Sequence, residues 1–222
     1  MKKLKDGFFP YKVIVLTGID GSGKTLYARK LVKALHEQGV KAKYVWLRFN
    51  HFFSKPLLAF CRLVGLTRYE FVGGYRLGYH EFYRFPPIAI AYIFLQWIDT
   101  LWSTFWKIYL PSRLLGQVVV CDRYLYDILV DLAVDTGKNN IFSSWIARIF
   151  LALLPKDSRV FLLMRDRGKI LEVRPEICYD YTIEQRLKLY SRIVKDHRVE
   201  VINNNVSREE TFEILKRSLG LC

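Results

Sequence analysis

Residues 18 to 25 read Gly18-Ile19-Asp20-Gly21-Ser22-Gly23-Lys24-Thr25, and no other stretch of the chain restricts its fold as tightly. The octet matches the phosphate-binding P-loop pattern in full. Upstream, residues 12 to 17 form a short apolar, β-branched run, as a buried parallel strand requires. Downstream, Ala28, Leu31, Val32 and Leu35 recur at helical spacing. In such a strand–loop–helix unit, Gly18, Gly21 and Gly23 let backbone N–H groups, with Ser22 among them, converge on an anion at a helix N-terminus. Lys24 supplies a mobile cation for outer phosphates, and Thr25 a hydroxyl for Mg²⁺. ATP and Mg²⁺ are therefore the expected ligands.

A chain of 222 residues suits one α/β domain over 1–222 with a substantial core. Half of the residues are hydrophobic, which excludes a disordered chain. Cys61, Cys121, Cys178 and Cys222 are scattered, with no metal-ligand spacing and no disulfide framework. That usage, and a charged N-terminus running into the first strand without a signal peptide, points to the cytoplasm. The formal net charge is +14. Three partners fit such an excess: nucleic acid, an anionic membrane, or several phosphates in one site. The basic residues are dispersed, so phosphates account for part of the excess.

Residues 87 to 111 are apolar enough to resemble a membrane span. Yet Gln96, Asp99, Thr100, Ser103, Thr104 and Lys107 fall on one helical stripe. The stripe favours a long helix with a wide buried face and one polar strip toward solvent or a ligand cleft. The surplus of aromatics around Phe52, Phe53, Trp97, Trp102 and Trp106 is expected to serve a homodimer interface, with peripheral membrane contact as the other use.

Further strands are expected at 41–48, 117–121, 159–164 and 199–202. A helix is read at 54–65, with no clear reading for the rest of 50–86. Asn140 is placed as the cap of the next helix. Thr182 with Gln185 and Ser207 with Glu210 read as capping boxes, the first opening a helix over 183–197. Strands alternating with helices predict a five-stranded parallel sheet with helices on both faces, the three-layer sandwich of P-loop NTPases.

Asp122-Arg123-Tyr124 follows the strand at 117–121. Open α/β sheets place ligands at strand C-terminal ends, so Asp122 is positioned to hold Mg²⁺ opposite Thr25 and Arg123 to clamp phosphate. Between 165 and 182, Arg165, Arg167, Lys169 and Arg174 gather on a segment carrying Gly168 and Pro175. This composition suits a basic lid closing over phosphates.

Taken together, the octet with its acidic Asp20, Leu47-Arg48 ending the second strand, the stretch from Pro111 to Tyr124, and the basic lid resemble the thymidylate kinase family of P-loop nucleoside monophosphate kinases. The resemblance implies transfer of the γ-phosphoryl of Mg·ATP to a nucleoside monophosphate, dTMP first. It gives Asp20 the acceptor's sugar hydroxyl, Arg48 and Arg123 its phosphate, Asp122 the metal, and Arg174 the transferring group. It places Trp97 where the family stacks an aromatic on the base, and Leu101 where the family has an arginine, so relaxed base specificity is expected. Two other readings stand beside it: a P-loop kinase for another small or lipid-like acceptor, and an inactive nucleotide- or nucleic-acid-binding protein on the same fold.

Overall fold

The computed structural model describes residues 9–48 and 50–221. Five strands form one parallel sheet: β1 (Val13–Thr17), β2 (Ala42–Trp46), β5 (Val118–Asp122), β6 (Ser158–Met164) and β7 (Val199–Asn203). Their order is β2-β5-β1-β6-β7, with Val15 facing Cys121 on one side and Val160 on the other. Central strands buried on both faces must be apolar without alternation, and β1 and β5 are buried at every position. Val13, Val15, Val119, Cys121, Val160 and Leu162 enter one core. Their neighbours Ile14, Leu16, Val118, Val120, Phe161 and Leu163 enter another. Two cores separated by the pleat mean helices on both sides, as the sequence predicts. The second core is covered by α1 (Lys24–Glu37) and α8 (Arg208–Ser218). The first is covered by α2 (Lys55–Leu63), α3 (Pro86–Thr104), α4 (Leu125–Thr136), α5 (Trp145–Leu151) and α7 (Ile183–Ile193).

The unread part of 50–86 holds a separate antiparallel hairpin, β3 (Thr67–Val72) and β4 (Tyr75–His80). Gly73 and Gly74 turn it with φ of 58° and 81°, the paired positive values of a tight two-residue hairpin turn. Its outer end rests on Tyr179, and the Tyr79 and Tyr181 rings meet at 4.3 Å.

The long helix α3 inverts its expected polarity. Gln96, Asp99, Thr100, Ser103 and Thr104 are buried, whereas Ile90, Phe94, Trp102, Phe105, Trp106 and Tyr109 are exposed. Asp99 explains the inversion. Its carboxylate accepts the backbone N–H groups of Phe52, Phe53 and Ser54 at 3.0, 2.6 and 3.0 Å, and the Ser54 hydroxyl at 2.5 Å. One side chain thus satisfies three successive backbone donors in the turn that leads into α2. Thr104 bonds the Tyr124 hydroxyl at 2.7 Å. Lys107 apart, the strip is buried: Asp99, Thr100 and Thr104 make internal ties, and Gln96 lines a small cavity beside His51 and Asp131. Pro86–Leu114 is long and apolar enough to cross a membrane, with mean hydropathy 1.2.

The helix also runs past its expected end at Pro111. From Phe105 to Leu114 it continues in wide π-helical turns, closed by a Leu115 N–H bond to the Leu110 carbonyl at 3.3 Å. Wider winding accommodates a proline that lacks an N–H and would clash in an α-turn. Two caps differ as well. Ser144, after a 3₁₀ turn at Ile141–Ser143, precedes α5 in place of Asn140. Asp180 takes the Thr182 N–H at 2.9 Å and its hydroxyl at 2.7 Å, so Thr182 makes no capping box, and α7 stops at Ile193. Ser207 does cap α8, accepting from the Glu210 N–H at 3.1 Å.

Candidate functional site

The loop after β1 closes over the C-terminal end of the sheet. Gly18 has φ of 140°, and a Cβ there would lie 2.6 Å from the Leu163 carbonyl oxygen of β6. Only glycine fits that approach. Lys24 opens α1 with its ammonium folded back on the loop, 2.6 Å from the carbonyls of Gly18 and Ile19 and 3.3 Å from the Ser22 hydroxyl. Burial lowers the Lys24 pKa to about 8; Asp127 and Asp122 oppose that shift, and Arg48 and Arg174 reinforce it. The Ser22 carbonyl is held by Asn204 at 2.7 Å, which also takes bonds from Tyr27 and Thr211 at 2.8 and 2.9 Å. Asn204 therefore locks the loop to α1 and α8. It follows β7 in a run of three asparagines, a polar signal at a strand end that the sequence reading passed over.

Thr25 and Asp122 meet across the loop, hydroxyl to carboxylate at 2.5 Å, as the spacing predicts. The same Asp122 oxygen accepts from Tyr44 at 2.8 Å. The other, Oδ1, is buried without a hydrogen-bond partner among the described residues. A buried carboxylate oxygen left unpaired beside a threonine hydroxyl is a donor set that suits a hard divalent cation.

Gly21, Gly23, Lys24 and Thr25 line a cleft of about 370 Å³ together with Arg165, Lys169 and Arg174. Arg165 and Lys169 come from the segment read as a lid, which forms α6 (Arg167–Val173) and a 3₁₀ turn at Pro175–Tyr179. Arg165 donates to the Gly21 carbonyl at 2.9 Å, and Lys169 to the Asn205 carbonyl. Arg174 stands at the rim, paired with Glu176 at 2.8 Å.

A second cleft, of about 420 Å³, adjoins the first and shares Arg123 with it. Asp20 lies between two guanidiniums, accepting from Arg123 and from Arg48 at 2.9 Å. Arg123 takes φ of 69°, the one non-glycine in the left-handed region among the described residues. That is a strained conformation for an arginine, held here at the end of β5 where its side chain reaches Asp20 and Asp127. The structure thus brings Asp20, Arg48 and Arg123 together.

Trp97 is different. It packs half-buried against the main core, outside the lining of either cleft, with its indole N–H unpaired among the described residues. Leu101 is exposed on the outer face of α3. Neither residue lines a cleft: Trp97 is taken up by the core, and Leu101 lies on the outward side of α3.

Several cleft residues escaped the sequence reading. Helix α4, buried almost throughout, carries Asp127, Asp131 and Asp135 at four-residue spacing on one face. Three carboxylates on an apolar helix were the available signal. Asp131 takes Arg48 in two bonds, and Arg186 from α7 at 2.5 Å. Asp127 accepts from Arg123 at 3.3 Å and from the Tyr190 hydroxyl at 2.9 Å. Burial disfavours the charge on Asp131, but Arg48 and Arg186 outweigh it and hold the carboxyl well below the usual range. Asp135 is pushed the other way, by burial and then by the neighbouring Asp131 charge.

Two clefts therefore meet at one arginine: a basic one over the Gly18–Thr25 loop, with an unpaired buried carboxylate oxygen beside a threonine hydroxyl, and one lined by arginines and aspartates in equal number. No protein-family model matches the chain, and no curated protein matches it.

Proposed function

We propose that the chain is a P-loop kinase resembling thymidylate kinases, moving the γ-phosphoryl of Mg·ATP to a nucleoside monophosphate, dTMP first. The observation that carries this reading is the shared arginine. Arg123 lines both the cleft over Gly21–Thr25 and the cleft containing Asp20 and Arg48. A donor phosphate over the loop and an acceptor phosphate beside Arg48 would meet there.

In this reading Lys24 and the loop amides hold the donor phosphates. Thr25 and Asp122 would hold Mg²⁺, which neutralises phosphate charge when bound. Arg48 and Arg123 orient the acceptor phosphate, and Asp20 takes its sugar hydroxyl. The acceptor phosphate oxygen is already a nucleophile, so no general base is required. It attacks the γ-phosphorus while the bond to the bridging oxygen breaks, leaving ADP. In-line placement and cation density carry the rate. Residues 165–182 would close as a lid, bringing Arg174 to the transferring group and excluding water. The expected homodimer is supported by the exposed aromatic face of α3, and a cytoplasmic location remains the accompanying proposal.

The test is ADP release measured over a panel of nucleoside monophosphates. Turnover with dTMP that needs both Mg²⁺ and the acceptor supports the reading. ATP binding with no acceptor-dependent turnover on any monophosphate overturns it.

A further inference from the structure

The hairpin β3–β4 forms a wall of the acceptor cleft: Tyr69, Arg76, Gly78 and His80 all line it. Strand register explains which side chains arrive. Thr67 faces His80, Tyr69 faces Gly78 and Phe71 faces Arg76, so these six share one face of the ribbon. Tyr79 points the other way, into the contact with Tyr181. The hairpin is thus fixed from behind and presents its opposite face to the cleft.

On that face two planar groups lie against each other. The Arg76 guanidinium carbon sits 3.9 Å from the Tyr69 ring centroid. Gly78 makes room for the ring, since a Cβ there would stand 3.1 Å from it. The other guanidiniums of the cleft are matched by carboxylates: Arg48 by Asp20 and Asp131, Arg123 by Asp20 and Asp127, Arg186 by Asp131. Arg76 has no carboxylate partner among the described residues. His80 sits behind the pair, bonded to Thr67 at 2.8 Å, with its pKa lowered by burial to about 4. It is neutral at pH 7 and adds no charge.

We propose that Tyr69 and Arg76 recognise the base of the acceptor, a ligand class of phosphorylated nucleosides with a flat, carbonyl-bearing ring. The inference rests on the kinase reading for the phosphate end of the same cleft. A guanidinium seated over a phenol ring loses little freedom on binding, and it can donate to ring carbonyls and stack. The hairpin thereby supplies an aromatic and an arginine that α3 does not.

The experiment compares binding of dTMP and of 2-deoxyribose 5-phosphate by titration calorimetry, with an ATP analogue present, in wild type, Arg76→Gln, Arg76→Lys and Tyr69→Leu. Base recognition predicts that Arg76→Gln weakens dTMP about tenfold or more and leaves the sugar phosphate unchanged. Arg76→Lys, which keeps the charge and loses the plane, should weaken dTMP nearly as much, and Tyr69→Leu should follow. Equal weakening of both ligands would make Arg76 a phosphate contact and overturn the proposal. Unchanged dTMP affinity in a folded Arg76→Gln protein, or a wild type that binds both ligands equally, would overturn it too. Failure of the kinase reading shows separately, as dTMP binding without turnover.

Discussion

Arg48 and Asp131 meet edge to edge, Nε to Oδ2 at 2.8 Å and Nη2 to Oδ1 at 2.9 Å. The pair is largely buried, and Arg186 adds a third bond to the same carboxylate. This tie between β2's end, α4 and α7 holds Arg48 in one orientation.

Replacing Asp131 by Ala should therefore be costly. It takes the carboxylate from buried Arg186 and leaves Arg48 with Asp20, a loss of about 3–5 kcal/mol. Urea unfolding measures it, and a loss under about 1 kcal/mol would show that water or Asp135 takes over the pairing. The pH sign follows from the depressed carboxyl. Asp131 stabilises the fold fully above the unfolded carboxylate pKa, and that stabilisation is lost as pH falls through the lower folded value. The wild type should lose stability below about pH 4, and Asp131→Asn should lose less over the same window.

Lys24→Ala should reduce phosphoryl transfer a hundredfold or more, about 3 kcal/mol at the transition state. Steady-state turnover checks it, with a melting curve to show that the protein still folds. Turnover within about tenfold of wild type would remove this loop from the chemistry.

The same lysine predicts a proton linkage. Its folded pKa of about 8 lies below its unfolded value, so burial of the charged form destabilises the fold at neutral pH. That penalty is relieved as pH rises from about 8 toward the unfolded pKa. A bound phosphate favours the ammonium. ATP-analogue binding at about pH 8.5 should therefore take up a substantial fraction of a proton, read by calorimetry in two buffers of different ionisation enthalpy. Lys24→Ala should abolish the uptake.

Asp122→Asn should raise the Mg²⁺ concentration needed for half-maximal turnover, and Asp20→Asn should raise the acceptor KM with little effect on that for ATP. The two patterns exchanged would mean that the roles are exchanged.

Asp99→Ala should destabilise the protein by about 2 kcal/mol or more, because three backbone donors at Phe52, Phe53 and Ser54 lose one acceptor. Asp99→Asn, which keeps one oxygen, should lose less. Equal stability of all three proteins in denaturant would assign the start of α2 to other contacts.

The sheet was legible because its central strands β1, β5 and β6 are apolar runs buried on both faces, while the edge strands β2 and β7 still carry β-branched and aromatic residues. So was the meeting of Thr25 with Asp122: Asp122 ends β5, and Thr25 opens α1 just after the loop that leaves the neighbouring strand β1. The second cleft was not. Its residues come from β2, the hairpin, α4 and α7, and nothing in sequence distance joins Arg48 to Asp131 or Tyr69 to Arg76. The hairpin was hidden for another reason. Gly73-Gly74 was visible, but the flanking strands carry exposed aromatics and arginines on both faces, so the alternation that marks a strand is blurred. Helix α3 misled through a sound rule. A polar stripe on an apolar helix ordinarily faces water; here Asp99 and Thr104 are spent on internal bonds, and the apolar side is left outside.

The outward face of α3 also decides what light can report. Trp46, Trp102, Trp106 and Trp145 are exposed, and Trp97 is the one indole packed against the core. Intrinsic emission should therefore be red-shifted and open to aqueous quenchers in the folded protein. Filling the two clefts should change it little, whereas covering the face that carries Trp102 and Trp106 should shift it to the blue. Fluorescence of this chain is a gauge of its surface, and ligand titrations need a probe placed elsewhere.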